Sequence, residues 1–137
     1  MKELKGRCLC GDVEYSIPDN LIYAGYCHCS ECRRWTGSPF SASGGVPTLD
    51  FKLTKGRDNL ICYKKGQHTL SYFCKSCSSM LFGDVKDYDM TFVLLGTLDE
   101  SPCLKPQWHI YTGSKVDWYE ITDSLPQYET KLIRDDE

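Results

Sequence analysis

Long hydrophobic runs are missing from this sequence of 137 residues. The longest apolar run, "FVLLG" at residues 92–96, is far shorter than the roughly 20 residues that a membrane-spanning helix needs. The N-terminal "MKELKGRCLC" is charged and lacks the apolar centre of a signal peptide. We therefore expect a cytoplasmic protein that neither spans nor binds a membrane.

An excess of charge of one sign is also missing. The 16 basic and 19 acidic residues leave a net charge of −3, which gives no general attraction to nucleic acid. Linkers, repeats and low-complexity segments are absent too. We expect one domain over residues 1–137, and the sequence indicates no particular oligomeric state.

Helical periodicity is scarce, and short strand patterns take its place. In "DVEYSI" the residues Val13, Tyr15 and Ile17 share one face. Similar segments rich in β-branched and aromatic residues are "NLICYK", "TLSYFC", "MTFVLLGTL" and "WHIYT". Turn signals such as "SGG" and "KKG" separate them. One helical turn is predicted around "SECRRW", with Ser30 as its N-cap. The pattern predicts a mainly antiparallel β protein.

Cysteine, in contrast, is abundant, with nine in the chain. An odd number without an export signal favours metal sites over a disulfide framework. Cys62 and Cys103 stand alone in apolar surroundings. The other seven form a C-x-C, a C-x-C-x-x-C and a C-x-x-C motif, namely Cys8 and Cys10, then Cys27, Cys29 and Cys32, then Cys74 and Cys77.

These motifs predict two zinc ions per chain. Residues i and i+2 of an extended segment point to the same side, so each pair can offer two thiolates to one ion. One division gives a closed, structural four-thiolate site made of Cys8, Cys10, Cys74 and Cys77. The main competing division is a shell made of Cys8, Cys10, Cys27 and Cys29.

The first division leaves Cys27, Cys29 and Cys32 as a three-thiolate site with one free position. Zinc with three protein ligands and an open fourth position is typical of catalytic sites, and a substrate thiol is a natural fourth ligand. The alternative is that His28 or a distant side chain completes the shell. On a strand, His28 would point to the face opposite to Cys27 and Cys29.

The residues that follow this motif have two interpretations. Arg33 and Arg34 can form a fork for substrate carboxylates, a task that suits guanidinium groups. They can equally be a solvated surface pair beside thiolates. Trp35 and Phe40 are core residues or, less often, substrate contacts.

The sequence resembles a known family over residues 6–129. The segments "GRCLCGDVEY", "CHCSECRRWTGSPF", "FCKSCSSMLF" and "QWHIYTGSKVDWYEITDSLPQYE" follow the order and spacing of the glutathione-dependent formaldehyde-activating enzymes. The family also includes centromere protein V-like proteins. The chain departs from the family pattern at Ser78, where glycine is common, and at Ser71, where arginine is common. It is also shorter than the founding enzymes, and these departures bear on the substrate.

The resemblance implies a β-tent fold of packed antiparallel sheets and both zinc sites of the first division. It also implies an activity, the condensation of formaldehyde with glutathione to S-(hydroxymethyl)glutathione, which is classed as a carbon–sulfur lyase reaction. We expect a zinc-dependent lyase acting on this adduct or a related thiol adduct. Arg33, Arg34 and Lys115 are candidates for neutralising the carboxylates of glutathione, and His109 is a candidate proton carrier or a core histidine.

Two other functions remain open at this point. One is a non-catalytic zinc-stabilised module that binds a protein or chromatin partner, although a net charge of −3 does not favour chromatin. The other is a protein that binds glutathione or carries formaldehyde without turnover.

Overall fold

Strands dominate the computed structural model, which describes residues 1–132; residues 133–137 of the expected domain lie outside the described part. The ten strands are β1 Glu3–Arg7, β2 Glu14–Pro18, β3 Tyr23–Cys27, β4 Ser41–Pro47, β5 Lys52–Lys55, β6 Leu60–Lys65, β7 Thr69–Cys74, β8 Met80–Val85, β9 Met90–Leu94 and β10 His109–Ile110. The α-helix of the described residues is α1, Ser30–Thr36. Short 3-10 helices are Thr48–Asp50, Arg57–Asn59, Lys86–Tyr88, Leu95–Thr97 and Thr112–Ser114.

The strands form two sheets. The smaller has the order β1-β2-β5, and the larger has the order β10-β3-β4-β9-β8-β7-β6. The prediction of a mainly β protein is therefore confirmed. The pairs of named strands are antiparallel, as predicted for most of the protein, except at one edge, where the two-residue β10 runs parallel to β3. The sequence pattern of β10 does not show whether this strand pairs parallel or antiparallel to its neighbour.

Both sheets contribute to one buried core. Val13, Tyr15 and Ile17 are buried, as the alternating pattern predicts, and Leu4 joins them from β1. Val46, Leu81 and Val93 from the larger sheet belong to the same cluster. Burying an aliphatic side chain of this size contributes roughly 1.5–3 kcal/mol, so this core can fix the ends of the strands that carry the cysteines.

The interpretation of "SGG" as a turn is wrong, because Gly44 and Gly45 lie within β4. Gly45 is paired with Tyr23, and a Cβ atom at Gly45 would overlap the Tyr23 ring. Gly44 likewise makes room for Leu21 and Leu95. The glycines thus allow large side chains of neighbouring strands to cross a central strand.

The strand ends bring the cysteine motifs into position. Cys8 and Cys10 follow β1, Cys74 ends β7 and Cys77 lies in the turn before β8. Cys27 ends β3, and two residues, His28 and Cys29, separate it from α1. Within the described residues, no helix is both long enough and apolar enough to cross a membrane.

Candidate metal centres

Four cysteine sulfur atoms converge between the turn after β1 and the turn after β7. The Sγ atoms of Cys8, Cys10, Cys74 and Cys77 all lie within 4.8 Å of one another. The Cys8–Cys10 and Cys10–Cys74 sulfur distances are 3.6 and 3.7 Å. A tetrahedral shell with Zn–S bonds of about 2.3 Å has sulfur atoms about 3.8 Å apart. The cluster therefore has the dimensions of a four-thiolate zinc site.

Hydrogen-bond donors surround these sulfur atoms. The amide of Val13 donates to Cys8 Sγ at 3.3 Å, and Cys74 Sγ accepts from the amide of Cys77 and from Asn59 Nδ2. The Ser79 hydroxyl, 3.2 Å from Cys77 Sγ, is the main cause that lowers the pKa of Cys77 to about 5. Donors of this kind stabilise thiolates, which are the form that binds metal.

The other three cysteines form a separate group at the end of β3 and the start of α1. Cys27, Cys29 and Cys32 also lie with all Sγ atoms within 4.8 Å of one another. No fourth cysteine, histidine or carboxylate of residues 1–132 joins them, and His28 is not a member of the group. The structure thus brings the seven cysteines together as four plus three, and not as the competing shell that mixes Cys8 and Cys10 with Cys27 and Cys29.

The local geometry of α1 depends on a cysteine. Cys29, not the predicted Ser30, is the N-cap, because Cys29 Sγ accepts a hydrogen bond from the Cys32 amide at 3.3 Å. The sulfur atom of Cys29 thus takes the place of the usual capping hydroxyl group, and the same contact holds Cys29 next to Cys32. A hydrogen bond from the Cys27 thiol is the main cause that lowers the pKa of Cys32 to about 6. One thiolate is therefore favoured within this group as well.

A cleft of about 530 Å³ lies against α1, the helix that contains Cys32. Its walls come from α1, from strands β6 to β8 and from the turn before β8, namely Glu31, Arg34, Trp35, Tyr63, Lys65, Phe73, Ser78 and Met80. Its volume falls within the usual range for small-molecule sites, about 300–1,000 Å³. The cleft can therefore hold a ligand of peptide size along α1, although Cys27, Cys29 and Cys32 are not among the residues that line it.

Lys65 connects this cleft to the cysteines. Its Nζ atom lies 2.8 Å from Glu31 Oε2 and 5.9 Å from the centre of the Trp35 ring. Burial opposes its charge, but the hydrogen bond and charge of Glu31, with smaller contributions from Cys32 and Cys29, raise the pKa of Lys65. Sequence reasoning missed Lys65, because it follows the α1 motif by thirty residues or so and only strand pairing brings it there.

The basic residues proposed from the sequence do not all line the large cleft. Arg34 lines the large cleft, whereas both Arg33 and Arg34 line a smaller groove of about 190 Å³ with Trp118. Consecutive helix residues diverge by about 100°, so the two guanidinium groups do not form a single fork at the large cleft. Lys115 Nζ donates to the carbonyls of Val116 and Tyr119 in its own loop.

Histidine 109 is part of a buried hydrogen-bonded chain. Its Nδ1 atom lies 2.8 Å from His28 Nε2, and its Nε2 atom lies 3.0 Å from Asp123 Oδ2. His28 and His109 are only 0% and 1% exposed. Burial, with smaller contributions from the charges of His109 and Lys115, lowers the pKa of His28 to about 4. Sequence reasoning missed Asp123, since nothing in its spacing marks it as a partner of a histidine.

The two departures from the family pattern have different surroundings. Ser78 has a φ of 66°, in the left-handed region that glycine adopts most easily, which accounts for glycine being common there. Ser71 is fully buried, and its hydroxyl has no hydrogen-bond partner. The two lone cysteines, Cys62 and Cys103, are exposed rather than in apolar surroundings.

Comparison with known proteins identifies the same pattern. A sequence model of the glutathione-dependent formaldehyde-activating enzymes matches residues 3–114. A Penicillium rubens protein named "Putative glutathione-dependent formaldehyde-activating enzyme" is 31% identical over 119 residues, covering 82% of this chain and 62% of that protein. An "Uncharacterized lyase" of Schizosaccharomyces pombe is 29% identical over 82 residues, covering 60% of this chain and 58% of that protein.

The same fold occurs in a crystal structure of a Rhodobacter sphaeroides protein. That chain superposes with a TM-score of 0.60 and 24% identity, covering 90% of this chain and 98% of its own length. The chain spans about six tenths of the length of the Penicillium relative, 62%.

Proposed function

Because the chain belongs to the glutathione-dependent formaldehyde-activating enzyme family, we propose that it is a zinc-dependent carbon–sulfur lyase. Its substrate would be S-(hydroxymethyl)glutathione, the adduct of glutathione and formaldehyde, or a related thiol adduct. The names of the fungal relatives support a lyase. The observation that carries the proposal is a three-cysteine group, without a fourth ligand in residues 1–132, at the start of helix α1, whose residues Glu31, Arg34 and Trp35 line a cleft of about 530 Å³.

We further propose that the fold is a single β-tent domain with a structural zinc on Cys8, Cys10, Cys74 and Cys77. Sulfur distances of 3.6 and 3.7 Å fit that ion. Cys27, Cys29 and Cys32 would hold a second zinc. When bound, this zinc would supply Lewis acidity that favours the thiolate form of a substrate thiol near neutral pH.

The protein purified without chelator should contain two zinc ions per chain. Seven thiols in a group of four and a group of three can complete one closed site and one open site. Elemental analysis after equilibration with zinc measures this directly. A stoichiometry that stays at one ion or none after that equilibration would contradict the two-site proposal.

The charged groups of the cleft match those of glutathione, which carries two carboxylates and one ammonium group. Lys65 and Arg34 offer cations to the carboxylates, and Glu31 offers a carboxylate to the ammonium group. Trp35 lines the same cleft, with its ring centre 5.9 Å from Lys65 Nζ. Arg33 and Lys115, proposed from the sequence, are secondary candidates, because Arg33 lines the smaller groove and Lys115 binds carbonyls of its own loop.

Replacing Lys65 with alanine should weaken glutathione binding by about 1.5–3 kcal/mol, or roughly 10- to 150-fold in Kd, since a hydrogen bond to a charged group is lost. Isothermal titration calorimetry with zinc-loaded protein measures the change. Lys64→Ala is the matched control, because Lys64 is the adjacent residue of β6 and is exposed outside the cleft. Equal affinities of both variants and the unchanged protein would remove Lys65 from the substrate site.

The reaction itself requires little from acid–base residues. Addition of the thiol to formaldehyde forms a C–S bond, opens the carbonyl double bond and moves one proton from sulfur to oxygen. His109 is a poor carrier for that proton, because both of its ring nitrogens are already hydrogen bonded and the side chain is buried. We propose that water in the cleft exchanges the proton.

One pair of assays tests this function. With zinc-loaded protein, formation of the adduct should be faster than the uncatalysed reaction, in proportion to protein concentration, and glutathione should bind. Binding without acceleration would show a glutathione binder or formaldehyde carrier instead. If glutathione neither binds nor reacts faster in the presence of the protein, glutathione is excluded as the substrate, and another thiol or a protein partner is favoured.

A further inference from the structure

We infer that Asp123, His109 and His28 form a hydrogen-bonded chain of positioning residues that holds the Cys27–Cys29 turn. Through this chain, the segment that follows β10 is coupled to the three-cysteine group. The inference rests on the proposed function to the extent that these cysteines hold a metal ion.

His28 is attached to β10 twice. Its amide donates to the carbonyl of Ile110 at 2.9 Å, and its Nε2 atom lies 2.8 Å from His109 Nδ1. Its ring also packs against Phe40, with the ring centres 5.1 Å apart. Because His28 stands between two of the cysteines and is not a member of their group, its fixed side chain restrains the backbone that carries both sulfur atoms.

The Asp123 carboxylate determines which nitrogen of each histidine in the hydrogen-bonded chain carries a proton. The Asp123 carboxylate can only accept a hydrogen bond from His109 Nε2–H, with an N–O distance of 3.0 Å. His109 Nδ1 then carries a lone pair and accepts from His28 Nε2–H. This leaves His28 Nδ1 as a bare acceptor, and this atom is buried without a partner. A buried N–H without an acceptor is rarer in proteins than an unpaired acceptor, so the count of donors supports this direction.

Asp123, the outer residue of the hydrogen-bonded chain, lies in the segment that follows β10. Asp123 lies beyond the residues that the family model matches, 3–114, and its side chain is 45% exposed. The amide of Leu125 donates to Asp123 Oδ1 at 3.0 Å, which fixes the carboxylate. Tyr119 of the same segment packs on Phe40, with ring centres 5.3 Å apart. The segment therefore contacts the turn through both an aromatic pair and the polar chain.

Asp123→Asn tests the hydrogen-bonded chain by reversing the donor and acceptor of each of its hydrogen bonds. The Leu125 amide should keep the amide oxygen at the Oδ1 position. The new NH₂ group then takes the Oδ2 position, which is the nearer of the two to His109 Nε2 (3.0 against 3.2 Å), and donates to that nitrogen. The same exchange of carboxylate for amide sets the wrong histidine tautomer in serine proteases. The proton of His28 should then move from Nε2 to Nδ1, although His28 does not touch residue 123. Nitrogen NMR of the imidazoles at pH 8 should show Nε2–H on both histidines of the unchanged protein and Nδ1–H on both in the variant. A His28 signal that stays the same while the signal of His109 changes would overturn the chain.

The positioning role is tested by metal affinity, independently of any lyase activity. In Asp123→Ala, the more weakly held zinc should bind on the order of tenfold less tightly, as when an outer partner of a metal site is lost, while the tighter zinc is unchanged. Asp87→Asn is the matched control, because Asp87 forms an exposed pair with His68 at 2.8 Å. Unchanged affinity in Asp123→Ala would overturn the coupling.

Two His28 variants separate positioning from acid–base chemistry. The side-chain amide of His28→Gln can still donate to His109 Nδ1, so this variant should retain zinc affinity that His28→Ala loses. A glutamine variant with the same loss as the alanine variant would overturn the positioning role. If the protein proves to have no lyase activity, the NMR and affinity results still decide the inference.

Discussion

Replacing Cys74 with serine should cost most of the folding stability of this protein. Cys74 is fully buried, and its sulfur lies 3.7 Å from that of Cys10, which is 64 residues away. Closing such a loop costs on the order of 3–4 kcal/mol, whereas a structural zinc site returns roughly 10–16 kcal/mol in small peptides. Loss of one ligand should lower the free energy of unfolding by several kcal/mol, out of a total of about 5–15 kcal/mol for a typical domain. Urea denaturation followed by circular dichroism measures the change.

Cys62→Ser is the matched control for that experiment. Cys62 lies on the adjacent strand β6, is exposed and belongs to neither cysteine group. Its replacement should leave the denaturation curve within experimental error of the unchanged protein. If Cys74→Ser denatured at the same urea concentration as Cys62→Ser, the four-cysteine cluster would not be structural.

Replacing Cys32 with serine should have a different result, with the protein folded but one zinc ion lost. The three cysteines of that group lie within six residues of sequence, so no long loop depends on them. The contact that caps α1 is also kept, because it runs from the backbone amide of residue 32 to Cys29 Sγ. We expect a melting temperature within about 5 °C of the unchanged protein, which corresponds to roughly 1 kcal/mol for a domain of this size.

Zinc content and melting temperature of the two variants, measured together, separate the roles of the clusters. A non-catalytic module in which both clusters are scaffold predicts that both substitutions lower stability together. Unfolding of Cys32→Ser to the same extent as Cys74→Ser would therefore reject an open, reactive role for the three-cysteine turn.

Much of the fold could be predicted because its signals are local. The alternation of Val13, Tyr15 and Ile17 reports a buried strand face directly, and "TLSYFC" coincides with β7. Motif spacing restricted the cysteines to two main divisions, of which the structure shows the four-plus-three grouping. In contrast, Gly44 and Gly45 suggested a turn, although the Tyr23 ring beside Gly45 and the Leu21 and Leu95 side chains beside Gly44 require glycines inside β4.

The substrate side of the site could be predicted less well because it depends on pairings that are distant in sequence. Lys65 reaches α1 only because β6 closes the edge of the larger sheet. Asp123 reaches His109 only because the segment after β10 turns back along it. Arg33 and Arg34, adjacent in sequence, both line the smaller groove, but only Arg34 also lines the large cleft, because a helix separates neighbouring side chains. Single residues of this kind carry no periodic signal that a sequence pattern could reveal.

We propose that the three-cysteine turn is the reactive site of the protein. Its most direct test is the rate of S-(hydroxymethyl)glutathione formation with zinc-loaded Cys32→Ser, compared with the unchanged protein and with buffer alone. We predict that the unchanged protein accelerates the reaction and that the folded variant returns it to the rate in buffer. Equal acceleration by both proteins would contradict the claim and place the chemistry elsewhere.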